Sequence, residues 1–150
     1  IVTPTIVIAY NIRQGSIQEE KLKGMTQQNL FEIYKALRER GVDRPPASLE
    51  VLVQEKLLSA DRIKSPANPN RAIGFVYVPV ELSYSNREEN GNMIVACDYS
   101  DNFGKDRVVL FATGKIQTLS EASFQDSLQL PENKHIKQAL QKLENPQKGK

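Results

Sequence analysis

"NMIVACDYSDNFGKDRVVLFATGKIQTL", residues 92–119, sets apolar runs on either side of an acid-rich connection and holds the single cysteine of the chain. Its pieces "MIVACDY" (93–99), "RVVLFA" (107–112) and "KIQTL" (115–119) are rich in β-branched and aromatic residues and lie at hairpin spacing, so they read as consecutive antiparallel strands. Side chains alternate along a strand, which places Val109 and Phe111 on one sheet face and Leu110 on the other. The segment Cys97-Asp98-Tyr99-Ser100-Asp101 is then either a loop that carries chemistry or the plain connection of a hairpin.

The flanking sequence supplies the rest of an architecture. "AIGFVYVPV" (72–80) alternates Phe75 and Tyr77 against Val76 and Val78, a further strand that Pro79 brings to an edge or an end. A polar loop follows, with the turn dipeptide Asn90-Gly91. From about Thr5 to Arg40 the period is helical: Leu22, Met25, Leu30, Ile33 and Leu37 make a stripe that Phe31 and Tyr34 widen. Gly15 and Gly24 mark places for a bend or break, and Gly41 stops the helix. A helix of that length reaches roughly 50 Å, longer than a small domain is wide. Pro45-Pro46 and Ser48 introduce a short helix from Leu49 to Lys56, Ser120 caps another carrying Phe124 and Leu128, and Ile136, Leu140 and Leu143 stripe a last one. The fold class is therefore α+β: a long N-terminal helix against a three- to four-stranded antiparallel sheet, with short additional helices. The 150 residues make one domain, divided into the helix (1–40), a helix-turn plus sheet (45–130) and a C-terminal helix and tail (131–150).

Composition excludes several classes. A net charge of +2 with mixed signs gives no field for gathering nucleic acid, and the lysines from Lys134 to Lys150 read as a solvated helix face and tail. One cysteine and one histidine cannot form a zinc cluster or an internal disulfide. No apolar run is long enough to span a membrane, although "IVTPTIVIA" reads as the end of a longer hydrophobic segment.

Chemistry in the connection is hard to assemble. A cysteine nucleophile needs a base, and His135 lies far along the chain in a lysine-flanked helix. Asp98, Ser100, Asn102, Gly104 and Asp106 offer oxygens at alternate positions, but Phe103 and Val109 occupy the places where an EF-hand needs glycine and glutamate. An irregular calcium site from Asp98, Asp101 and Asp106 is the remaining metal option; otherwise these acids solvate a loop tip together with Lys105 and Arg107. No carboxylate pair or nucleophile elbow stands out. Tyr77, Tyr84 and Tyr99 read as sheet packing in preference to a ligand-stacking face. The chain does not read as an enzyme, and no cofactor other than calcium suggests itself.

The run "SDNFGKDRVVLFATGKIQTLSEASF" resembles the pilin-like proteins, related to type II secretion pseudopilins, that carry a His-x9-Asp-Gly motif. Asn102-Phe103-Gly104 aligns with the Asn-His-Gly of that family, and Val109 to Ile116 with its strand and turn. "QQNLFEIYKAL" is similar to the family helix, and "PPASLEVLVQEKLLSADRIKSPANP" to the segment after it, so the resemblance covers about residues 25–125. Phe103 stands for the motif histidine and Thr113 for the aspartate; of the motif only Gly114 remains, and no ligand carries over. The resemblance implies a non-enzymatic structural subunit of a bacterial secretion pseudopilus or type IV pilus. It would be periplasmic or at the cell surface, held in the inner membrane by an N-terminal segment. Its partners would be other pilin or pseudopilin subunits, met through the helix stripe Leu22, Met25, Leu30, Phe31, Ile33 and Leu37. The alternative is an extracytoplasmic module whose 84–92 and 98–106 loops bind a ligand, a glycan or calcium.

Overall fold

A computed structural model describes the backbone of residues 4–81 and 91–144, and the side chains from residue 17 onward within those spans. The element order is α1 (Pro4–Arg40), α2 (Leu49–Gln54), a 3-10 turn (Ala60–Ile63), β1 (Phe75–Tyr77), β2 (Ile94–Asp98), α3 (Ser100–Phe103), β3 (Asp106–Phe111), β4 (Ile116–Ser120), α4 (Glu121–Leu128), a second 3-10 turn (Pro131–Asn133) and α5 (Lys134–Glu144). The strands form one antiparallel meander in the order β1-β2-β3-β4. This is the α+β arrangement that the apolar periods predict. The expected loop over 85–92 falls largely outside the described residues.

α1 runs unbroken through Gly15 and Gly24, where a bend or break was expected. At its C-terminus Gly41, at φ +125°, takes a conformation that a side chain would disfavour, and its N–H donates to Leu37 O at 3.2 Å. Ser120 caps α4 as its sequence position predicts, its Oγ accepting from Ser123 N at 3.2 Å.

The sheet is covered on both faces. Leu30, Ile33 and Leu37 of α1 pack with Leu49, Leu52, Phe75, Val108 and Leu110. On the other face Phe124 and Leu128 of α4 and Ile136 and Leu140 of α5 pack with Val76, Cys97, Val109 and Phe111. Val109 and Phe111 thus share one face and Leu110 takes the other, as expected. A bulge lies between Ile94 and Ala96, where the β2–β3 register shifts. It sends both Val95 and Ala96 to the α1 side while Ile94 and Cys97 stay with α4 and α5. Asn133, 1% exposed, fixes that place. Its Oδ1 accepts from Ile94 N at 2.8 Å, and its Nδ2 donates to Asn92 O at 2.9 Å and Ser127 O at 2.8 Å.

Leu143, expected in the stripe of the last helix, is 55% exposed; α5 seats Ile136 and Leu140 with Ala139 partly buried beside them, and its end is held by the glutamate that follows Leu143. The β3–β4 turn closes on α1. Gly114 sits at φ +92°, and a Cβ there would lie 2.6 Å from ring carbons of Tyr34. The turn needs glycine for its backbone and also for the ring above it. We expect Gly114→Ala to lose about 2–4 kcal/mol, from the left-handed backbone and the overpacking together, measured by urea unfolding. A loss below about 0.5 kcal/mol, the scale of an ordinary surface change, would show that neither constraint holds.

Candidate functional site

The acid-rich connection is the turn of the β2–β3 hairpin, and its three candidate calcium ligands part company there. Asp101 is exposed and forms a fork with Arg71, whose Nη1 and Nη2 donate to its oxygens at 3.2 and 2.9 Å. That bond, with burial opposing it, holds the Asp101 carboxyl below the usual range. Asp106 accepts from Lys23 Nζ of α1 at 2.6 Å. Asp98 is fully buried, and its Oδ1 accepts from Val108 N at 2.9 Å. Among the described residues, no group of three histidine, cysteine or acidic side chains converges as a metal set.

Two of these residues overturn the reading of a solvated tip. Asp98 is buried, and Arg107 is 2% exposed, with a single guanidinium holding three elements together. Nε and Nη2 donate to Glu121 of α4 at 2.9 and 3.1 Å, and Nη1 and Nη2 donate to Glu144 of α5 at 3.0 and 2.9 Å. Nη1 also donates to Asp98 O at 3.2 Å, and the guanidinium lies 4.5 Å from the centre of the Phe124 ring. Glu144 Oε1 accepts from Ser100 N at 2.9 Å as well, so the end of α5 is pinned to the hairpin turn. Burial alone would loosen the Arg107 proton, but the hydrogen bonds to Glu121 and Glu144 outweigh it and hold the guanidinium more firmly charged. The sequence shows only an arginine opening an apolar strand, and its two acid partners lie 14 and 37 residues away.

Cys97 is fully buried between the sheet and the outer helices, which pushes its thiol well above the ordinary range, while His135 is exposed on α5. Cys97 thus lacks the thiolate that nucleophilic chemistry requires. The aromatic residues serve packing and local contacts. Tyr77 donates to Pro46 O at 2.9 Å and Tyr99 lies under Arg71 at 3.9 Å, whereas Tyr84 is outside the described residues. Of the motif positions, Phe103 is buried in the α1 core with Lys23 5.7 Å over its ring, and Thr113 offers its carbonyl to Tyr34 Oη at 3.5 Å.

The helix stripe divides. Leu30, Ile33 and Leu37 are buried and Leu22 partly so, but Met25 and Phe31 are each 46% exposed. Met25 borders a groove with Asn29, Arg62 and Pro66 at the flank of the helix, and Phe31 stands on its open side, so α1 carries one packed face and some apolar surface beyond it. No helix among the described residues is long and apolar enough to cross a membrane. No protein-family model, curated protein or solved structure matches the chain.

Asp98 carries a titration. Burial, opposed by the Val108 N–H and by Arg107, pushes its carboxyl up to about 7 from 3.8. Its Oδ2 has no hydrogen-bond partner among the described residues. The folded chain therefore keeps a proton that the unfolded chain releases. The stability tied to it is full below about pH 4 and is lost as pH rises through about 7. We expect Asp98→Asn to remove this loss, since the amide oxygen still accepts from Val108. Its thermal midpoint should rise relative to the parent chain by several degrees between pH 4.5 and pH 7.5. A constant offset across that range would refute the buried titration.

Proposed function

We propose that this chain is a non-enzymatic, pilin-like structural subunit that joins a pseudopilus or pilus-type assembly through α1. The observation that carries the reading is the proportion of that helix. It is 37 residues long, about 55 Å at 1.5 Å per residue, while the described side chains that join the core begin at Leu22. The helix is thus longer than the stretch whose described side chains meet the core. Packing the remainder against the equivalent helices of neighbouring subunits is the physical use that fits. The resemblance of residues 25–125 to the pilin-like family points the same way, with partners of the same kind and an anchor in the bacterial inner membrane. The sheet, the outer helices and the hairpin turn then form the head that such an assembly displays.

Formaldehyde cross-linking in the cells that make the protein tests this reading. The full chain should appear as a membrane-associated ladder of multimers. A variant lacking residues 1–16 should keep its thermal midpoint and lose the ladder. A ladder that survives the deletion, or a full chain that stays monomeric in the soluble fraction, would overturn the assembly role.

A further inference from the structure

The first 3-10 turn and the chain after it leave a groove of about 420 Å³ against α1, lined by Met25 and Asn29 of the helix and by Asp61, Arg62, Pro66 and Pro69. Its wall is fixed from two sides. Asn29, 7% exposed, donates from Nδ2 to Lys64 O at 3.1 Å, and its Oδ1 accepts from Arg62 Nη1 at 3.1 Å. Behind that wall Gly74 N donates to Ile63 O at 2.7 Å, and a Cβ on Gly74 would run into the backbone of Ser65, so only glycine permits the closure. Arg62 is the unusual member. Arg40, Arg71 and Arg107 each meet a carboxylate. Arg62 is half-buried, and among the described residues its one hydrogen bond goes to the neutral amide of Asn29. A charge drawn partly out of water without a counter-charge is costly, and a neutral amide offsets only part of that. The bond through Nη1 leaves Nε and Nη2 without a partner, the same pair of nitrogens through which Arg107 holds Glu121. Lys64, half-buried on the same groove, pairs with no acid among the described residues either.

We propose that this groove binds an acidic residue of a partner protein, presented on an extended segment. The carboxylate takes the Nε and Nη2 donors of Arg62 as a fork, and Lys64 adds charge beside it. An apolar neighbour of the acid lies on Met25, 46% exposed, and on the rings of Pro66 and Pro69. The groove selects among anions. Two parallel donors match the two oxygens of a carboxylate. Asp61, exposed and the one acid among the described lining residues, repels the near-double charge of a phosphate group more than the single charge of a carboxylate. Arginine and methionine are also the side chains that concentrate where proteins meet. Asn29 and the Gly74 closure already hold the guanidinium and the wall in place, so little ordering is left for the binding step. The site does not rest on the assembly role. Met25 and Asn29 follow Leu22, where the described core contacts of α1 begin, so the groove stays with the head while earlier turns of the helix pack elsewhere.

Solution NMR of the isotope-labelled 150-residue chain tests this, with the acetylated and amidated tetrapeptide Leu-Glu-Leu-Pro as the probe. Titration should move the Nε–H resonance of Arg62 and the methyl resonance of Met25 together and to saturation. The glutamine analogue of the peptide should bind about tenfold more weakly, the scale of one charge-assisted fork. Arg62→Gln should lose the Met25 shift and leave the resonances of the sheet in place. Asp61→Asn should tighten the glutamate peptide by about twofold or more, since a like charge leaves the rim. A merely structural Arg62 would give no such gain. No saturable shift up to about ten millimolar peptide, equal binding of the glutamate and glutamine peptides, or displacement of the peptide by an equal concentration of inorganic phosphate would each overturn the site.

Discussion

A strand buried on both faces cannot solvate its own polar groups, and β3 is such a strand. Val108 and Leu110 pack toward α1 and Val109 and Phe111 toward α4 and α5, so β3 carries the apolar contacts of both layers at once. At its open end stands Arg107, whose guanidinium meets the carboxylates of Glu121 and Glu144 and a backbone carbonyl of β2. A planar group with five donors in a fixed fork can satisfy two carboxylates in one plane, which a lysine ammonium cannot. The charge is tolerated in that place because each donor direction meets an acceptor. The fork therefore settles how α4 and α5 sit on the sheet.

The acids around the hairpin turn follow from the same arrangement. Each is claimed by a different part of the chain: Asp106 by Lys23 of α1, Asp101 by Arg71 of the connection between the first 3-10 turn and β1, and Asp98 by the amide of Val108 within the hairpin. Oxygens that look like a ligand set along the chain work as separate ties, one to α1, one to the connection before β1 and one within the hairpin. The turn is an anchoring point for α1 on one side and for α5 on the other, and Ser100 and Glu144 complete the second tie.

Much of this was legible in the chain because apolar period reports directly on burial. The four strands, the α1 stripe through Leu30, Ile33 and Leu37, the stop at Gly41 and the cap at Ser120 all follow from local pattern. Three things were not legible. The second layer over the sheet was hidden because α4 and α5 are short, and their stripes do not say which face they cover. Arg107 and Asp98 look like surface charges, since the partners that bury them are distant in sequence. The double role of Gly114 requires knowing that Tyr34, from a helix 80 residues earlier, lies over the turn. Met25 and Phe31 fail in the opposite direction: a stripe wide enough to include them is wider than the face the sheet can cover.

The measurement that tests the central claim most directly is the unfolding free energy of Arg107→Lys in urea. Lysine keeps the charge and most of the length but cannot serve Glu121, Glu144 and the Asp98 carbonyl together. If the fork ties the outer helices to the hairpin, the variant should lose about 3 kcal/mol, the scale of a broken buried ion pair. A stability within about 0.5 kcal/mol of the parent chain would mean that the outer layer is held by its apolar face alone.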